Sequence, residues 1–167
     1  MKPRLILLLL ISCTDLQVAA QQRELVKEIN EQDWKPFIRS FRAGDDNGFK
    51  AVHSKEVIRV LQDDKEIFGY DRYFQTQPDS IKAKWGIWKK DIELRFVQRI
   101  AGKDKAFEVG FYKTTSTNQQ SGETRKSIGK FHVLLRKENG IWKILMDADS
   151  SEGASEELFN KAESLEN

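Results

Sequence analysis

The sequence predicts an α+β fold in which N-terminal helices pack on one face of a curved, mostly antiparallel sheet. Three observations carry this. Apolar residues between Gln22 and Ala43 recur at helical spacing. After Lys90 the pattern changes to alternation through four long stretches. Those stretches are separated by polar segments and turn signals that suit hairpins.

The helical segment carries Val26, Ile29, Trp34, Phe37, Ile38 and Phe41 on one arc about half the helix wide. Pro36 interrupts it, so either the helix kinks there or Asp33 caps a second helix with Pro36 in its first turn. Gly44 is the expected C-terminal cap. Phe49 to Ser54 suits one more helical turn, and Val57 to Leu61 is a β-branched run that reads as a strand. Ile67, Tyr70 and Tyr73 have helical spacing. Asp79 is expected to open another helix through Ile81, Trp85 and Trp88.

The alternating stretches follow. Ile92, Leu94 and Phe96 alternate with Glu93 and Arg95. Phe107, Val109 and Phe111 alternate with Glu108, Gly110 and Tyr112. Phe131, Val133 and Leu135 alternate with His132 and Arg136. Trp142, Ile144 and Met146 form the last strand, which places Asp147 on the face of Leu145. Thr114 to Arg125 reads as a polar hairpin loop, and Asn139-Gly140 as a tight turn. Leu158, Ala162 and Leu165 suit a short C-terminal helix.

With 167 residues there is room for one domain. Hydrophobic residues make up 39% and charged residues 32%, which excludes a multi-span membrane protein and a disordered chain. Lys and Arg number 28 against 26 Asp and Glu, a net +2, so no nucleic-acid partner is expected. Residues 1–20 read as an export signal. Lys2 and Arg4 precede an apolar run, Leu5–Ile11, too short to span a bilayer, and Val18-Ala19-Ala20 supplies a cleavage site. The competing reading is a lipobox ending at Cys13, which would anchor the protein in a membrane by lipidation. Cys13 is the only cysteine, so cleavage after Ala20 leaves a periplasmic or secreted chain without disulfides or thiol chemistry. The folded domain is then 21–150, followed by an acidic tail, 151–167.

Gly129-Lys130-Phe131-His132-Val133-Leu134-Leu135-Arg136-Lys137, then Asn139-Gly140-Ile141-Trp142-Lys143-Ile144 and Asp147, resembles the C-terminal signature of the nuclear-transport-factor-2-like superfamily. The likeness is greatest to its SnoaL-like and domain-of-unknown-function 4440 members. Trp34 with Phe41-Arg42-Ala43-Gly44-Asp45, Gly69-Tyr70 with Tyr73, and Ala106 with Gly110 are similar to upstream parts of that pattern. The resemblance implies a cone-shaped barrel enclosing a pocket, often dimerised across the sheet, and no single chemistry. Where many relatives end the last strand in His-x-Ser, this chain has Ala148-Asp149-Ser150.

Asp147 and Asp149 share a face of the last strand. They are either an acid–base pair or pocket-lining, structural carboxylates. A partly buried Asp147 needs a partner, for which Arg59, Tyr73, Tyr112 and His53 are the candidates. His53 is also a candidate general base, while His132 is expected to point away from the core. Arg59, Arg95 and Arg99 either pair with Glu93 and Glu108 on the outer face, or one of them enters the cone and anchors a ligand carboxylate. Trp88 joins Tyr73, Tyr112, Arg59 and Asp147 as candidate ligand-binding residues. No metal-ligand spacing and no cofactor fingerprint occurs. The function expected is a non-catalytic module, for binding a small apolar or carbonyl- or carboxylate-bearing ligand or for dimerisation. The alternatives are a cofactor-free lyase or isomerase using a pocket Asp or His, and an accessory subunit that binds another protein.

The leader is directly testable. N-terminal sequencing of the mature protein is expected to begin at Gln21; a diacylglyceryl-modified Cys13 would replace export by membrane anchoring.

Overall fold

In the computed structural model, residues 17–75 and 86–165 are described. The leader core Leu5–Ile11, Cys13 and the helix expected from Asp79 through Trp85 lie outside them. Helix α1 (residues 17–29) runs through a π-helical turn, Asn30–Trp34, into α2 (Lys35–Ala43). In that turn the Lys35 N–H bonds the Asn30 carbonyl, five residues back. Pro36 is the physical reason. It has no N–H for the Gln32 carbonyl and its ring crowds that carbonyl, so a widened turn suits it better than an α turn. Asp33 therefore caps nothing and is buried inside the turn. Gly44 ends α2 at φ +63°, as expected, and Asp45 caps α3 (Asp46–Ala51) by accepting from the Gly48 N–H at 3.0 Å.

The strands are β1 (His53–Leu61), β2 (Glu66–Phe68), β3 (Trp88–Ala101), β4 (Lys105–Asn118), β5 (Thr124–Glu138), β6 (Ile141–Ser150) and β7 (Glu163–Ser164). One-turn α4 (Tyr70–Tyr73) follows β2, and α5 (Glu156–Lys161) precedes β7. The sheet order is β2-β1-β6-β5-β4-β3-β7, antiparallel except for the parallel pair β1–β6. Three expectations need correcting. Ile67 belongs to an edge strand, not a helix. Trp88 opens β3 instead of ending a helix. The loop expected over Thr114–Arg125 is mostly strand: Thr114 to Thr117 continue β4 and pair with β5, as β-branched residues favour.

The core lies between the helices and the concave face of the sheet. Ile29 and Trp34 meet Ile92, Leu94 and Phe96 of β3, Phe131 and Leu135 of β5, and Trp142 and Ile144 of β6. Gly110 belongs on this face because a Cβ there would lie 2.0 Å from the Arg95 carbonyl and 2.6 Å from the Phe131 ring. Alternation fails at two points. Phe96 pairs with Gly110 and Gln98 with Val109, so Val97 is an extra residue on β3. Ile144 pairs with Leu135 and Met146 with Leu134, so Leu145 is an extra residue on β6. Each bulge moves the residues after it to the opposite face.

The first bulge turns Arg99 inward, where it meets Glu108. Of the cross-strand pairs expected on the outer face, Arg95 does meet Glu93 at 2.9 Å but along its own strand, and Arg99 meets Glu108 inside the barrel. Glu108 is fully buried and accepts from Trp34 Nε1 and from Arg99 Nε, the latter at 2.8 Å. Arg99 also donates to Asn30 Oδ1 at 2.6 Å, and Asn30 donates to the Leu165 carbonyl at 3.0 Å. One polar chain therefore ties helix, sheet and C-terminal segment together. On the outer face α5 is anchored by Phe159, fully buried beside Arg95 and Lys113, while Leu158 is 42% exposed. Residues 151–165 of the acidic tail thus pack on the sheet through Phe159 and pair with β3 through β7.

Candidate functional site

Between α2, α3 and the concave face lies a cavity of about 230 Å³. Aromatic rings of Trp34, Phe37, Phe41, Phe49 and Phe131 line much of it, with Leu94 and Val133. Its polar end is made by Arg59, Tyr73, Tyr112, Thr114, Asp147 and Asp149. The Leu145 bulge sets this up. Strict alternation would put Asp147 opposite Trp142 and Ile144; the extra residue brings all three, and Asp149, onto the concave face. Asp147 and Asp149 then pair in register with Val133 and Phe131 of β5.

On the other side of β6, Arg59 of β1 stands opposite Asp147. Its Nη1 lies 3.1 Å from Asp147 Oδ1 and its Nη2 2.7 Å from Asp149 Oδ2, while Nη1 also donates to the Asp147 carbonyl at 3.1 Å. The Arg59 side chain is only 11% exposed. Burial pulls its guanidinium down, but Asp147 foremost, then Tyr73 and Asp149, hold it above its usual value. Tyr73, brought in by α4, donates its hydroxyl to Asp147 Oδ2. Burial first, and then the Asp147 charge, raises that phenol well above its usual value, so it stays a donor. Asp147 thus has both oxygens occupied. Asp149 has one: among the described residues Oδ1 accepts no hydrogen bond. Burial pushes the Asp149 carboxyl up, against the pull of Arg59.

Tyr112 projects from β4 over Gly129 of β5, whose missing side chain makes the room: a Cβ there would lie 2.3 Å from the phenol. The Tyr112 phenol is pushed up to about 12 by burial and then by the Asp149 charge. Of the four partners expected for Asp147, the structure therefore brings Arg59 and Tyr73 into hydrogen-bonding contact. His53 makes no such contact. It starts β1 and is 4% exposed, with its Nδ1–H on the Phe49 carbonyl at 2.7 Å. Its ring sits among Phe49, Tyr73 and Phe74 at centroid distances of 4.9–5.3 Å. Burial lowers its pKa, so the ring is neutral and Nε2, which has no hydrogen-bond partner, is shut among aromatics. A general base needs access to substrate, and His53 has none.

Trp88 does not reach the cavity; Arg125 stacks on it at 4.5 Å at the far end of the β3–β4 hairpin. His132 lies on the outer face, beside the Phe107 ring. The cavity walls Phe37, Phe41 and Phe49 were legible only as core, because helical spacing does not distinguish a packed face from a pocket wall. Asp33 had no signal at all. Both its oxygens are buried without a partner, and burial, then the charges of Glu108 and Asp147, raises its pKa well above the carboxylate range. It is held as a neutral acid behind the Trp34 wall.

An aromatic-lined cavity between helices and a curved, mostly antiparallel sheet defines a cone-shaped α+β barrel. No family model and no curated protein sequence matches the chain. Solved structures do: the fold is that of nuclear-transport-factor-2-like proteins. A nuclear transport factor 2-like superfamily protein from Salmonella enterica aligns over 80% of this chain and 92% of its own, with a TM-score of 0.56 at 16% identity. A nuclear transport factor 2-like protein with a cystatin-like fold from Novosphingobium aromaticivorans covers 87% of this chain and 93% of its own (TM-score 0.61, 12% identity). A ketosteroid isomerase-like protein from Erwinia carotovora covers 76% and 95% (TM-score 0.57, 16% identity). At these identities the likeness is one of fold.

The Arg59 bridge gives a pH-dependent prediction. Arg59→Met leaves two inward carboxylates without a counter-charge, and removes the pull that opposes the burial-driven rise of the Asp149 carboxyl, so that rise grows. The folded protein then holds protons that the unfolded chain releases, so stability falls as pH rises above about 4. Urea unfolding is expected to show a loss of about 3–5 kcal/mol at pH 7.5 and a much smaller loss at pH 4.5. Equal losses at both pH values would show that the bridge is not what neutralises Asp147 and Asp149.

Proposed function

We propose that this protein binds a small, mostly apolar molecule in the concave cavity and does not transform it. The observation that carries this is the state of Asp147. With Arg59 on one oxygen and Tyr73 on the other, each oxygen of Asp147 already accepts a contact that holds the cavity's polar end, which weakens it as a base. At about 30 Å³ per water-sized unit, the cavity suits a single ring with a short substituent. Ligand-observed NMR against ring-sized compounds is expected to give mutually competing binders that are recovered chemically unchanged. Thr114→Phe, which fills the polar end, should abolish binding without lowering the melting temperature. The alternative, a cofactor-free lyase or isomerase, has the free Oδ1 of Asp149 in its favour, and conversion of a bound compound in this assay, lost in Asp149→Asn, would establish it.

We further propose that two copies associate through the outer face of the sheet. In register across five strands, Ile58, Met146, Leu134, Phe107 and Ile100 form one apolar row on that face. Ile58 and Ile100 are 47% and 53% exposed. An isologous contact would cover this row in both copies at once. Light scattering at tens of micromolar protein is expected to give a dimer for the wild type and a monomer for Leu134→Lys (a concentration at which modest interfaces of roughly micromolar Kd are populated). A monomeric wild type would remove the proposal.

A further inference from the structure

Among the described residues the cavity's charges do not balance. Three charged side chains of these residues line it: Asp147 and Asp149 are acidic and Arg59 is basic. Other nearby charges do not correct this. Burial lowers the pKa of His53 and raises that of Asp33 well above its usual value, Lys143 lies outside the lining and donates to the Ala51 carbonyl, and Arg99 is spent on Glu108. Asp63, hydrogen-bonded to Ser150 beside the polar end, adds further negative charge. Asp149 is the more exposed of the two inward carboxylates, at 22% against 13%, and its Oδ1 is the oxygen without a partner. Aromatic side chains make up much of the wall beside it, and an aromatic ring attracts a cation placed over its face.

We propose that the ligand is an organic cation: a protonated amine on a single-ring body, its ammonium group on Asp149 Oδ1 and its ring among Trp34, Phe37, Leu94 and Phe131. This deepens the small-molecule reading above and rests on it. An ammonium group supplies the missing positive charge and the missing hydrogen bond together. A ligand carboxylate would instead meet two like charges, with Arg59 already engaged by both. A neutral alcohol completes the hydrogen bond and leaves the charge uncompensated.

Three probes with one ring and similar reach separate these cases: phenethylamine, 2-phenylethanol and phenylacetate. Calorimetric titration at pH 7.5 is expected to show phenethylamine binding at least tenfold tighter than 2-phenylethanol, with phenylacetate weakest. In Asp149→Asn the amine's advantage should shrink to within about twofold. A wild-type measurement covers the case in which that variant folds poorly. Arg59, Asp147, Asp63, Tyr73 and Tyr112 surround Asp149, and it is Asp149, which carries the contact and whose carboxyl burial pushes up, that gains a proton as pH falls. Phenethylamine binding is therefore expected to weaken from pH 7.5 to pH 4.5 while 2-phenylethanol binding holds. If the alcohol or the acid binds as tightly as the amine, the cation assignment is wrong and the binding function stands. If ring-sized compounds bind in the NMR assay but the amine does not, the cation assignment again fails alone. If nothing ring-sized binds, both fail.

Discussion

Leu145 has no counterpart on β5, and that one extra residue in β6 turns Asp147 and Asp149 into an otherwise apolar barrel. Two carboxylates cannot remain ionised in such a place alone. Arg59 on the neighbouring parallel strand answers both, and Tyr73 completes the shell of Asp147. The position of α4 follows, since Tyr73 must reach across β1 to donate. The cavity exists because these side chains hold one another at its end instead of collapsing onto Trp34 and Phe131.

A second bulge does comparable work at the other end of the barrel. Val97 sends Arg99 inward, and Arg99 neutralises Glu108, the fully buried acid that also receives the Trp34 indole N–H. Trp34 is thereby fixed on its polar edge while its ring packs against Phe37, Phe96 and Phe131. The same ring forms a wall of the cavity. The π turn that accommodates Pro36 is what presents Trp34 to the sheet while leaving α2 free to start again. Breaking the Arg99–Glu108 contact would therefore disturb the cavity from behind. A buried pair that loses one member leaves an uncompensated charge, and that is more damaging than never having had the pair.

The two bulges differ in what they serve. The one at Val97 closes a network of fully satisfied groups that joins helix, sheet and the Leu165 carbonyl, so it is architectural. The one at Leu145 places Asp149 at the aromatic-lined cavity, with one oxygen that accepts no hydrogen bond among the described residues. Both oxygens of Glu108, by contrast, accept one.

Much of the fold was legible in the sequence, because hydrophobic periodicity reports which face of a local element is buried. The amphipathic helix, the four long strands and their hairpins, and the Gly44 cap all rest on local patterns that tertiary contacts reinforce. The resemblance at Gly129 to Asp147 extended this to the superfamily fold. The site was legible in part: Arg59, Tyr73 and Asp147 were named from residue type and position near element ends. What the sequence could not reveal is the facing of residues beyond a bulge, since one extra residue inverts every later side chain and leaves no compositional mark. That inversion decided where Arg99, Asp147 and Asp149 point. Only the tertiary structure decided that Trp88 stands outside the cavity, that Asp33 is buried neutral, and that His53 is sealed among aromatic rings. Each depends on what a neighbouring element places against the residue, which local sequence does not encode.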